Sequence, residues 1–235
     1  MSQGQQNPQY AITQSQKVST IFPGDYAAAD EGSFYTSYIA ATASTAVALT
    51  TLALGNAHPV LAIQNMWTTA SGVNAMNMYL RYIKMVYTVV PTSNTSVNYS
   101  LVLDPMPVKL TTVGTAMSTP ANVNGNSGIA SIASLTAGVN VAAATSSTGR
   151  QIGYGQAVGS IPVAFDEHIF HFGQPVFGGD QVGTTTLQKR VSVPCCPVVI
   201  APQEWFTLGL FGASWAADAF NVQIEVGWIE RPQGQ

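Results

Sequence analysis

The sequence predicts an all-β fold: a β-sandwich of the single jelly-roll type preceded by an extended N-terminal arm. Three observations lead there. Short runs rich in Val, Ile, Tyr, Phe and Thr recur between Gly, Pro and Asn turn signals, enough for about ten to twelve strands. No segment sustains a helical period over a long stretch. No internal repeat of the kind that builds propellers or solenoids is present.

Residues 1–30 are Gln-rich and poor in apolar side chains, with turn signals at Asn7-Pro8 and Pro23-Gly24. Such a segment has too little apolar surface to order by itself. It is read as an arm that docks on a neighbouring subunit. Residues 31–235 form the sandwich domain. Phe34 to Ile39, Val47 to Leu54 and Val60 to Trp67 are β-prone, with Gly55-Asn56 between the last two. Tyr79 to Val90 is the longest run. Strict alternation puts Tyr79, Arg81, Ile83, Met85 and Tyr87 on one face and Leu80, Tyr82, Lys84 and Val86 on the other. Both faces are largely apolar, which suits a central or interface-forming strand. Pro91 to Thr95 reads as a hairpin loop leading to Ser96–Asp104, where Tyr99, Leu101 and Leu103 share a face.

A Gly/Pro/Ala/Thr-rich insertion follows at about 105–150. Within it, Ile129 to Leu135 and Val139 to Thr145 fit either short strands or a helical turn. Strands resume with Gln151 to Val158, His168 to Phe172 and Val191 to Ile200. Glu204 to Phe211 is β-prone. In the last run Phe220, Val222, Ile224, Val226 and Trp228 alternate with Asn221, Gln223, Glu225 and Gly227, placing every large side chain on one face.

Charge is the unusual feature of the composition. Lys, Arg, Asp and Glu make up 8% of the chain, against about 25% in ordinary soluble domains. None occurs between Glu31 and Arg81 or between Lys109 and Arg150. Solitary proteins keep a charged surface because desolvating charge opposes association. A chain that omits it is expected to bury surface against other protein, as a subunit of an assembly. The net charge of -3 and the scattered cations argue against direct nucleic-acid binding, since phosphate neutralisation needs clustered Lys and Arg. Ser2 to Gln9 lacks the basic and apolar regions of a secretory signal. No run reaches the roughly 18 consecutive apolar residues of a transmembrane helix.

No catalytic, cofactor-binding or metal-ligating set emerges. His168 and His171 are three apart, so a strand sends them to opposite faces and they cannot share an ion. His58, before Pro59, reads as loop. Gly153-Tyr154-Gly155 lacks the third glycine and the strand-to-helix setting of a dinucleotide loop. The adjacent Cys195-Cys196 lacks zinc or redox spacing and reads as a pair of small buried hydrophobes. No Ser lies in Gly-x-Ser-x-Gly. The sequons at Asn94 and Asn98 carry no weight without a secretory signal. Trp215 and nearby Asp218, between the last two strands, are the candidates for an intersubunit or ligand contact. They carry the alternative reading, a carbohydrate-binding β-sandwich such as an adhesin or receptor-binding module, in which Trp215 stacks on a sugar.

Several segments taken together point elsewhere. Tyr79 to Asp104 (YLRYIKMVYTVVPTSNTSVNYSLVLD), Ser118 to Asn124 (STPANVN), Ile161-Pro162-Val163 and Glu225 to Arg231 (EVGWIER) resemble, in that order, a group of bacteriophage virion structural proteins. The resemblance covers about half the chain. It implies a capsid or head-decorating subunit located in the virion, with no enzymatic activity and no cofactor. Its partners would be copies of itself and other virion proteins.

Overall fold

The computed structural model describes residues 10–13, 18–21, 24–39, 45–47, 58–68, 75–89, 97–104, 115–137, 150–158, 164–173, 190–212 and 220–233. In chain order these form β1 (Tyr10–Thr13), β2 (Val18–Ile21), α1 (Gly24–Asp30), β3 (Phe34–Tyr38), β4 (Thr45–Val47), β5 (His58–Asn65), β6 (Met76–Val89), β7 (Val97–Asp104) and β8 (Thr115–Ala116). There follow β9 (Ala121–Asn122), β10 (Ala133–Ala137), β11 (Arg150–Val158), β12 (Glu167–Phe172), β13 (Arg190–Cys195), β14 (Val198–Ile200), β15 (Trp205–Gly212) and β16 (Phe220–Pro232).

Two sheets make an all-β sandwich. The first runs β13-β12-β6-β16-β3-β9, with β14 also paired to β6 and β4 to β16; the second runs β11-β7-β15-β5-β10-β8. The long strands are nested. β3 pairs antiparallel with β16, β5 with β15, β6 with β12 and β7 with β11, so the first long strand meets the last and the two middle ones meet each other. The expected hairpin at Pro91 to Thr95 does not form, because β6 and β7 lie in different sheets. β15 and β16 are likewise split between the sheets. Alternating hydrophobicity marks strands but does not choose their partners.

The core lies between the sheets. Phe170 and Phe172 of β12 meet the second sheet edge-to-face, at Tyr99 (5.1 Å between ring centroids) and Phe206 (5.8 Å). Val222, Ile224, Val226 and Trp228 of β16 all face inward, as their period requires.

β6 departs from strict alternation. Met78 and Leu80 face the core together with Ile83, Met85 and Tyr87, while Arg81 and Tyr82 are both only half-buried. The cause is a β-bulge: Tyr82 lies opposite Gly227 and Leu80 opposite Trp228, which leaves Arg81 without an opposite residue. The bulge keeps a guanidinium out of the core and brings it to Asp25 at 2.6 Å. It also lays the Tyr82 ring over Gly227, and the Tyr82 hydroxyl donates to Glu225 Oε1 at 2.6 Å. Any Cβ at Gly227 would collide with the Tyr82 ring. Gly227→Ala is therefore expected to cost about 1–3 kcal/mol through overpacking. A lower urea midpoint at unchanged slope would show it.

The N-terminal segment is more structured than an extended arm. β1 and β2 pair antiparallel as a two-stranded sheet that joins neither large one. Residues 24–30 form α1, with Asp25 in its first turn and three consecutive alanines. Gly32, at φ +70°, ends it, and Ser33 N donates to Ala28 O at 2.8 Å. Ala28 packs on Phe34 and Ile229, so the helix covers an apolar strip on the outer face of its own first sheet. The sequence reading missed this helix because it is short and sits in polar surroundings.

The described part of the insertion, residues 115–137, is woven into both sheets. β9 extends the first sheet beside β3, while β10 and β8 extend the second beside β5. Asn122 Nδ2 donates to Gly32 O (2.7 Å) and Asn124 Nδ2 to Asp30 O (2.9 Å), tying the insertion to the end of α1.

Candidate functional site

Trp215 and Asp218 lie outside the described residues, in the connection between β15 and β16. The other residues considered from sequence fall as follows. His168 and His171 occupy opposite faces of β12, one buried in the core and the other half-buried outside, so they cannot converge on one ion. Among the described residues no group of three or more His, Cys, Asp or Glu is placed to hold a metal. His58 is the first residue of β5, not part of a loop. Gly153-Tyr154-Gly155 belongs to the edge strand β11, where the glycines make room for Leu101 and Tyr99 of β7. The cysteines differ from each other. Burial pushes the Cys195 thiol up to about 12, whereas Cys196 is exposed and its thiol points at Ile152 O on β11 (3.5 Å). Only the first behaves as a small hydrophobe.

Three buried polar centres stand out among the described residues, and two of them, at Asn65 and Glu230, were not singled out from sequence. Asn65, at the end of β5, is fully buried. Its Nδ2 donates to Met76 O (2.8 Å) and Ile200 O (3.0 Å), both in the first sheet, and its Oδ1 accepts from Trp67 N (3.0 Å). One side chain thus joins the two sheets. Glu230 is the second. It continues the inward phase of β16 beyond Trp228, a signal readable from the sequence period. Its carboxylate accepts from the Ser131 hydroxyl, from Trp228 Nε1 (2.9 Å) and from Ile132 N (3.2 Å). Burial raises its pKa against the opposing effect of these donors. It anchors the insertion to the core.

The third centre lies where β6 and β12 meet. Asp166, His168 and Tyr87 are all buried, with 1%, 1% and 0% of their surface exposed. The Tyr87 hydroxyl lies 3.5 Å from His168 Nδ1, and the rings meet edge-to-face at 5.1 Å. Burial depresses the imidazole to about 4, outweighing the Asp166 carboxylate, which pulls the other way. An acid whose field reaches a histidine invites a catalytic reading, but all three groups are enclosed by the surrounding protein. The arrangement suits packing.

On the surface, all five described cations are held in intramolecular ion pairs. Arg81 meets Asp25, Lys84 and Arg190 share Glu167 (3.3 and 2.7 Å), Arg231 meets Glu31 (3.0 Å) and Arg150 meets Glu204 (3.1 Å). Four of these five pairs involve the first sheet and the helix beside it. Among the described residues, Tyr26, Tyr38, Ile129, Tyr154 and Phe165 leave more than half of their surface exposed. Among the described residues no helix is long and apolar enough to cross a membrane.

The chain matches no family model, no curated protein and no solved structure.

Proposed function

We propose that this chain is a structural protein of a bacteriophage virion, a jelly-roll subunit that forms or decorates the capsid shell. The observation that carries the reading is the nested pairing of eight strands across two sheets, β3 with β16 and inward to β7 with β11. Double-sheet jelly rolls are wound this way, and the architecture is common in viral shells. The resemblance over β6, β7 and the end of β16 supports the same assignment. So does the scarcity of charge. With the described cations already neutralised within the subunit, lateral contacts over them need not desolvate an unpaired cation, which is costly. Many copies of a modest apolar and hydrogen-bonded contact, closed by symmetry, hold a shell without any single strong interface.

The test is the mass of the purified protein by light scattering, with and without residues 1–23. That boundary spares α1, which the first sheet needs to cover Phe34 and Ile229. A trimer, pentamer or larger particle that falls to monomer on truncation is the expected result. A monomer in both forms would overturn assembly through the N-terminal segment and shift weight to the carbohydrate-binding alternative.

A further inference from the structure

We propose that the buried Asp166–His168–Tyr87 cluster is an acid-operated latch that holds the turn carrying Phe165 against the end of β6. The turn is unusual. Phe165 has φ +69°, a left-handed conformation that bulky residues rarely adopt, and 57% of its surface is exposed. Strain of this kind persists only where its surroundings enforce it. Here Tyr87 enforces it from both sides: Phe165 N donates to Tyr87 O (2.7 Å) and Tyr87 N donates to Asp166 O (3.1 Å). The Tyr87 side chain then rests on His168. A single residue of β6 thus joins the strained turn to the imidazole.

The groups around His168 explain why the latch responds to acid. Asp166 on the same segment is the charged group whose field reaches the ring. β6 contributes the uncharged Tyr87 and, directly across, Met85; β13 contributes Val191. This environment holds the ring neutral down to about pH 4, while an unfolded chain takes up that proton near 6.5. Between these values the unfolded state binds more protons, so the latched state loses stability as pH falls and the loss is complete below the folded pKa. Three groups shift the background. His171, also depressed by burial, acts in the same direction; Asp104 and Glu230, raised by burial, act in the opposite one. A further carboxylate, Glu167, is lowered even though burial alone would raise it, because Arg190 and Lys84 hold it charged, and it adds acid sensitivity only below 4.5.

The experiment compares hydrogen-exchange protection of the Tyr87 and Phe165 amides, corrected for intrinsic rates, at pH 7 and near pH 4.5. The wild type, His168→Gln and His171→Gln are measured side by side. Wild type and His171→Gln are expected to lose protection by roughly tenfold or more on acidification, and His168→Gln to stay nearly flat. Equal loss in all three, or none in the wild type, overturns the latch. Should His168→Gln fail to fold, NMR titration of the wild-type ring decides the matter. The His168 signals of the folded protein must stay unshifted through the range in which the two amides lose protection and move only as the pH nears 4; a folded-state ring that titrates near 6.5, or amides that stay protected down to pH 4, refutes the proposal.

Discussion

Trp228→Ala is expected to lower the free energy of unfolding by about 3–5 kcal/mol. Domains of this kind are stable by only about 5–15 kcal/mol, so the loss removes between about a fifth and all of that margin. Two effects add. Trp228 is completely buried and stacks on Tyr35 at 6.1 Å, so truncation leaves a large void in the centre of the first sheet. It also removes the indole N–H that donates to Glu230, an acid that burial already disfavours in its charged form. Urea unfolding followed by tyrosine fluorescence or circular dichroism measures the loss. Trp228→Phe separates the two effects: it keeps most of the volume and drops the donor, and should cost distinctly less. An equal cost would assign the whole effect to the hydrogen bond.

The second large effect is expected at Asn65. Asn65→Ala removes two donors and one acceptor, leaving Trp67 N, Met76 O and Ile200 O without this partner. Each orphaned buried group costs about 1–3 kcal/mol, so a loss of about 3 kcal/mol or more follows. Because Asn65 links β5 to β6 and β14, the amide of Trp67 should also exchange faster than amides at the centre of β16. A loss below about 1 kcal/mol would mean that water takes over the three bonds.

The fold class was legible in the sequence because it rests on periodicity. The stripe Val222, Ile224, Val226, Trp228 is a local pattern, and the core reproduces it. The same reasoning misled at β6, where strict alternation across Arg81 set Leu80 on the face opposite Ile83, Met85 and Tyr87, although all four lie in the core. The two-residue gap between Leu80 and Ile83, filled by Arg81 and Tyr82, was the available sign of a bulge. Partners were not legible. The short loop after β6 suggested a hairpin, but the chain crosses to the other sheet there, and pairing is decided by contacts remote in sequence. The buried polar centres were hidden for a related reason. Asn65 and Glu230 are individually ordinary residues, and most of their partners, Met76 and Ile200 for the one and Ser131 and Ile132 for the other, come from segments remote in sequence. His168 and His171 were the reverse case, since parity along one strand was enough to keep them apart.

The nested winding also sets a timetable for synthesis. β16 is made about 180 residues after its partner β3. At elongation rates of about 5–20 residues per second, the nascent chain waits roughly 10–40 s with that ladder unmade. β16 is also the neighbour of β6 along most of its length, so the first sheet has no centre until β16 has been made. Contacts this distant in sequence make for slow closure. They also act as a length check, because a chain that stops before residue 220 lacks the strand on which its first sheet is organised.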